Sequence, residues 1–256
     1  MIARFFSGVV LFTVALCGLA LAELPKPRPP LPLNWYGDPQ APNVSGVWVR
    51  DDAATKAASP SKSPEGWQPW PPPLKPEYEK AWNKSVADAA AGKRIDDPVR
   101  WCLPPGMPRY VTGMNGPLLI MQTPGRVIMH RDAIPVRRIW MDGRPMPSSK
   151  ELESFYNGNS MGRYEGKAMV TEVAGIKEQP IDATGVPHSE DLKIVERIQR
   201  LDAKTLKVEV TLTDETAYTQ PMKSTVIYKA LADPLWEPKE YLCVPETGYF
   251  PERYVK

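Results

Sequence analysis

Residues 193–212 read KIVERIQRLDAKTLKVEVTL, and the pattern of this stretch decides the fold. Leu206, Val208, Val210 and Leu212 alternate with Lys207, Glu209 and Thr211. Successive side chains of a strand point to opposite faces, so a period of two predicts a strand with one dry and one wet face. Residues 193–201 predict a second strand, joined to the first through a turn at Asp202-Ala203-Lys204-Thr205. Further short strands are predicted outward from this hairpin at 45–50, 118–122, 127–131, 136–141, 160–164, 167–174 and 225–231. Turn residues separate several of them: Thr123-Pro124-Gly125, Asp142-Gly143-Arg144 and Glu165-Gly166.

The count is eight to ten strands, all connectable as antiparallel neighbours, with almost no helix after residue 92. Open sheet edges are a liability that closure removes. The expected fold is therefore all-β, an antiparallel, lipocalin-like β-barrel. Gly46-Val47-Trp48 at its head resembles the opening of such barrels, in which the tryptophan closes the barrel floor.

The chain before the barrel divides in two. Residues 1–22 carry Arg4, an apolar run from Phe5 to Leu21, and Ala20 and Ala22 in an A-x-A arrangement before Glu23, the pattern of a secretory signal peptide. Residues 23–44 form a proline-rich arm, with Pro25, Pro27, Pro29, Pro30, Pro32, Pro39 and Pro42 removing backbone donors. Residues 45–256 are read as a single barrel domain. It includes one accessory helix at 76–92, with Pro76 at its first turn and Gly92 as its cap. Tyr78, Trp82, Val86 and Ala89 or Ala90 mark the apolar face of that helix, which is expected to lie across the barrel or over its mouth. The stretch 51–75, ending Trp67-Gln68-Pro69-Trp70-Pro71-Pro72-Pro73, is expected to lie on a surface as a polyproline-like segment.

The formal net charge of +2 is too small, and its charges too interspersed, for a nucleic-acid footprint. No stable membrane insertion is expected after the leader, and oligomeric state is left open. Beyond Cys17 in the leader the cysteines are Cys102 and Cys243. In an oxidising periplasm a lone distant pair predicts a disulfide, and the rival reading, a metal or catalytic thiol, lacks a C-x-x-C or a nearby histidine.

Several motifs together resemble a group of secreted proteins of Gram-negative bacteria. They are Cys102-x-Pro104-x-Gly106-Met107-Pro108-Arg109, Arg138 leading to Asp142-Gly143-Arg144, Gly158-x-Ser160-x-Gly162-Arg163-Tyr164-Glu165-Gly166, Pro187-His188-Ser189-Glu190, and Glu196-Arg197. The resemblance covers roughly residues 43–243. It implies the compartment, periplasmic or secreted, and the fold, and carries no activity with it. It also implies a histidine where this chain has Asn159 and an aspartate where it has Lys167.

Candidate chemistry centres on the two histidines, His130 and His188. His188 stands in a loop between Gly185-Val186-Pro187 and the strand at 193, beside Ser189 and Glu190, where a rim loop carries site residues. Inward arginines need carboxylate partners, and Glu165, Glu172, Glu196 and Asp142 are available. They form either a structural ion-pair net or a fork for a ligand. Gly158-x-Ser160-x-Gly162 superficially matches a nucleophile elbow, but a strand and hairpin follow rather than a helix. No H-E-x-x-H, H-x-H or paired C-x-x-C is present, and the methionines are scattered, so no metal and no cofactor is expected.

The leading expectation is a barrel whose lumen binds a small hydrophobic or aromatic molecule, with Arg138, Arg163, His130, Asp142, Arg144 and Tyr164 as ligand-binding candidates. A second is a cofactor-free lyase, isomerase or cyclase, with His188 as acid–base and Glu165 or Glu190 orienting it. A third is an envelope scaffold that binds through its Trp/Pro arm.

Overall fold

The structure, a computed structural model, describes residues 41–93, 97–114, 116–132, 134–148, 150–233 and 236–238. They lie within one compact unit, Pro32–Lys256, while a second unit, Met1–Leu31, is wholly outside them. The expected signal peptide at 1–22, nearly all of the arm at 23–44 and Cys243 fall outside the described residues.

Nine strands form the barrel: β1 (Gly46–Arg50), β2 (Leu118–Thr123), β3 (Arg126–Arg131), β4 (Ile134–Trp140), β5 (Asn159–Glu165), β6 (Ala168–Ala174), β7 (Lys193–Arg200), β8 (Thr205–Thr213) and β9 (Met222–Ala230). They follow one another in sequence order, and β9 pairs back onto β1 to close the barrel. The hairpin that decides the fold has the alternation it predicts: every residue of β8 that faces in, from Leu206 to Leu212, is buried. One pairing departs from expectation. β4 and β5 run parallel, in register only at Ile139 with Ser160 and Trp140 with Met161. The link between them, 141–158, leads from one end of the barrel back to the other, so the direction of β5 repeats that of β4.

Each end of the barrel is closed differently. At the end where β1 begins, Trp48 is fully buried and donates from Nε1 to Val44 O at 3.1 Å. The Arg200 guanidinium lies 4.8 Å over its ring and donates to Ser45 O at 2.7 Å. Gln122 ties the entering chain to the barrel, accepting from Val44 N at 2.7 Å and donating to Tyr164 Oη at 3.0 Å. Trp48 thus closes the floor, as its place after Gly46 predicts.

The opposite end carries a lid. After β1 the chain forms α1 (Asp52–Ala58), whose N-cap Asp51 accepts from Ala54 N at 3.1 Å. It packs on β9, where Thr55 Oγ1 donates to Ile227 O at 3.3 Å. Residues 59–75 then cross the barrel mouth, bridging Gln68 to Lys223 and Leu74 to Tyr218. A short helix, α3 (Arg109–Thr112), plugs the mouth with all four residues buried. Its Tyr110 donates to Met129 O at 2.8 Å inside the barrel. Arg131 fixes the plug by donating to Tyr110 O at 2.9 Å, Gly116 O at 2.7 Å and Tyr228 Oη at 2.9 Å.

The accessory helix α2 (Pro76–Ala90) forms where expected, but its apolar face is covered only in part. Tyr78 and Trp82 pack at the lidded end, with Trp82 edge-on to Trp70 at 5.6 Å and donating to Thr184 Oγ1 at 3.3 Å. Val86, one turn further on, is exposed. Helix α1 and the plug α3 were not expected from the sequence. Among the described residues, no helix is long and apolar enough to cross a membrane.

Candidate functional site

The middle of the barrel is occupied by a satisfied ion pair. Arg137 on β4 reaches Glu196 on β7 through both terminal nitrogens, Nη1 to Oε1 at 2.9 Å and Nη2 to Oε2. Arg137 Nε donates to Ser160 Oγ at 3.2 Å, and Thr171 donates its hydroxyl to Glu196. Both charged side chains are almost wholly removed from solvent. A two-pronged guanidinium–carboxylate pair with its remaining atoms hydrogen-bonded is stable in a low dielectric. It asks nothing of a ligand. Of the two readings left open for the arginines, the structural net describes the lumen.

The arginines singled out from the sequence stand elsewhere. Arg138 faces outward and is exposed, because Arg137 and Ile139 take the inward register of β4. Arg163 is exposed on the outer face and pairs with Glu165 at 2.7 Å and Glu172 at 2.6 Å. Arg144 pairs with Asp142, Nε to Oδ1 at 2.8 Å, and lies 3.7 Å over the ring of Trp140 at the Trp48 end. Tyr164 serves Gln122 at that same end. His130 is half-buried on the outer face, opposite Leu119. These candidates line no common lumen.

His188 is at the lidded end, while Glu165 is at the opposite end, at the tip of the β5–β6 hairpin, where it pairs with Arg163 on β5 and Arg197 on β7. Glu190 is exposed. The three do not meet. Both imidazole nitrogens of His188 serve the backbone: Nδ1 lies 2.7 Å from Ser189 O, and Nε2 accepts from Gln179 N at 3.4 Å. A carbonyl partner requires a proton on Nδ1, so one neutral tautomer is fixed. Burial pushes the His188 pKa below 6.5, in the same direction. His188 therefore holds the loop and has no nitrogen left for a substrate proton. Nitrogen-15 NMR at pH 7 should show one neutral tautomer protonated at Nδ1. Fast-exchanging tautomers, or an imidazolium at that pH, would contradict this assignment.

A different group of polar residues meets under the lid. Glu65 lies on the segment that crosses the mouth, and Asp182 on the loop between β6 and β7. Arg109 begins the plug. Glu65 is 3 % exposed, Asp182 1 % and Arg109 7 %. Glu65 Oε1 accepts from Ala183 N at 3.2 Å, and its backbone oxygen accepts from Ser224 Oγ at 2.6 Å. Asp182 Oδ1 accepts from Thr184 N at 2.9 Å, Thr184 Oγ1 at 2.8 Å and Val186 N at 3.3 Å. Arg109 Nη1 is taken by Asp97 at 2.8 Å.

What remains is a set of buried atoms with no hydrogen-bond partner: Glu65 Oε2, Asp182 Oδ2, Arg109 Nε and both amide atoms of Gln179. Gln179 packs so tightly on Gly106 that a Cβ there would fall 1.7 Å from its Nε2 and 2.4 Å from Tyr156 O. Gly106 also has φ +64°, so no other residue fits that turn without strain. Burial, and secondarily the charge of Asp182, raises the Glu65 pKa from 4.5 to about 7, against Arg109 and Arg50, which lower it. The pKa of Asp182 is raised by burial too. A carboxyl that titrates near neutrality exchanges its proton readily at physiological pH, as acid or as base. Nothing in the sequence marked Glu65 or Asp182; they stand 117 positions apart, and only the lid brings them together.

Among the described residues, no group of three or more His, Cys, Asp or Glu side chains is placed to hold a metal ion. Outside the lid, Pro60, Lys62, Pro69, Trp70 and Pro71 line an open groove of about 640 Å³. Compared with protein-family models, curated proteins and solved structures, the chain matches none. Fold and site define a closed all-β barrel whose unsatisfied polar centre lies under a lid at one end.

Proposed function

We propose that the protein is a periplasmic binder of a small hydrophobic or aromatic molecule, held at the lidded end of the barrel. The observation that carries this reading is the group of unpartnered buried atoms on Glu65, Asp182, Arg109 and Gln179. Buried polar groups are nearly always hydrogen-bonded, and such a concentration calls for a polar group to complete it. Trp67, Met107, Tyr110, Val111 and Ile181 are buried at the same end. Apolar side chains around a few polar groups, one of them a carboxyl with a shifted pKa, are the usual surroundings of a small-molecule site.

Compartment and covalent framework belong to the same proposal. Residues 1–22 act as the leader, and the motif resemblance to secreted proteins supports this. The disulfide expected between Cys102 and Cys243 is part of that proposal, and Cys102 being disulfide-bonded supports it.

Native mass spectrometry of the full chain, purified from a periplasm, tests the reading. The expected spectrum contains a non-covalent adduct that is lost from Glu65→Gln. A ligand at a hundred times its Kd should stabilise by about 2.7 kcal/mol, or roughly 5–10 °C in Tm for a domain of this size. No adduct, together with no Tm shift from a panel of apolar and aromatic compounds, would overturn it.

A further inference from the structure

We propose that Glu65 and Asp182 bind the positively charged nitrogen of an organic cation, a primary or secondary ammonium. This rests on the reading that the lidded end binds a ligand, and it names the chemistry of that ligand.

The argument is one of charge and of free lone pairs. Four carboxylates and two guanidinium groups bear on the site: Glu65, Asp182, Asp97 and Asp52, with Arg109 and Arg50. Both arginines are already engaged. Arg109 pairs with Asp97. Arg50 donates to Thr112 O at 2.6 Å and pairs with the exposed Asp52 at 3.1 Å. With every group ionised, Asp97 and Asp52 match the two guanidiniums, and the buried Glu65 and Asp182 keep two negative charges between them. Uncompensated buried charge is costly, so a proton or a bound cation must make up the difference.

The geometry favours an ammonium as the cation. One oxygen of each carboxyl is fixed by backbone N–H groups, Ala183 on Glu65 and Thr184 and Val186 on Asp182, and the other oxygen is left without a donor. An ammonium carries two or three donors and no acceptor, matching two free carboxylate oxygens. No third His, Cys, Asp or Glu joins the pair among the described residues to make a group of three that could hold a metal ion. An independent sign of a ligand is the unpartnered Nε of Arg109, whose charge acts on both Glu65 and Asp182. The Nε of Arg109 is therefore open to an acceptor atom on the same ligand. Its ammonium serves the carboxyls, and an oxygen on it serves Arg109.

Isothermal titration of the full chain tests this with a panel of fixed shape and varied charge: amines from methylamine to 2-phenylethylamine, then 2-phenylethanol and phenylacetate. Because Glu65 titrates at about 7, an ammonium that displaces its proton should bind about tenfold more weakly at pH 6 than at pH 8. At pH 6, titrations in buffers of different ionisation enthalpy should report release of close to one proton per amine bound. A merely structural Glu65 would not produce that release. Glu65→Gln, and separately Asp182→Asn, should remove both the proton release and the pH dependence. If 2-phenylethanol or phenylacetate binds as tightly as the amine, or amines bind with no proton release, the cation assignment fails and the binding reading stands. If no member of the panel binds and no adduct is retained from the periplasm, both fall.

Discussion

Replacing either member of the Arg137–Glu196 pair, as Arg137→Met or Glu196→Leu, should destabilise the protein by about 3–5 kcal/mol. Each substitution leaves the other charge inside the barrel with no counter-ion, where both side chains are almost completely removed from solvent. Ser160 or Thr171 also loses its partner. Domains are stable by only about 5–15 kcal/mol, so the single variants should approach the limit of folding. The double variant should behave differently. Removing both charges together eliminates the unpaired ion and leaves apolar volume of similar size, an exchange that is often neutral or stabilising. Urea denaturation of the two single variants and the double variant forms a complete cycle. Single variants that lose less than about 1 kcal/mol, in the range of exposed pairs, would show that the pair is solvated and the middle of the barrel open. The double variant also separates the lumen from the site: a ligand held under the lid should still be retained by it.

The strands were legible because their alternation is local and repeated. Leu206 to Leu212 needs no knowledge of the rest of the chain to show a dry face, and Glu196 is visibly between the inward Ile194 and Ile198. β4 was harder. Its two faces read Val136, Arg138, Trp140 and Arg137, Ile139, so each mixes an arginine with large apolar residues, and composition does not say which arginine faces in. The barrel decides it, by placing Arg137 opposite Met129 and within reach of Glu196. The site under the lid could not be read at all. Glu65 occurs in a proline-rich stretch that carries no period, and Asp182 in a loop. Their burial depends on the segment 59–75 crossing the mouth and on α3 filling it. Of these elements only α1 carries a local signal, Asp51 as N-cap before a run rich in alanine. His188 shows the reverse error. A histidine in a proline-held loop suggests chemistry, but the restraint that keeps the loop in place consumes both of its nitrogens.

Between pH 5 and pH 8 the protein without ligand should lose stability as pH rises, and Glu65 should be the main cause. Its carboxyl pKa is about 7 in the folded chain against 4.5 for the ordinary group. Across that window the folded state holds a proton that the unfolded state has released, so unfolding is favoured as protons are withdrawn. The contribution is fully present below 4.5 and is lost as pH passes through 7, amounting to about 3 kcal/mol. Asp182, raised by burial, acts in the same direction. His188 acts in the opposite one: with its pKa lowered by burial, it costs stability as pH falls below 6.5. The carboxyls of Asp51, Asp88 and Asp202 have lowered pKa values, held down chiefly by hydrogen bonds from Lys229, from Lys84 and Lys93, and from Lys204 N, so their contributions change only below about pH 4. Glu65→Gln separates these effects, because glutamine resembles the protonated acid at every pH. Denaturant unfolding at fixed temperature should give similar stabilities for the two proteins near pH 5, and a variant more stable by up to about 3 kcal/mol at pH 8. Parallel profiles would mean that Glu65 is solvated and the lid open. An amine that fills the site should act on the unmodified protein as the glutamine does, restoring at pH 8 the stability that the proton supplies at pH 5, and should leave the variant unchanged.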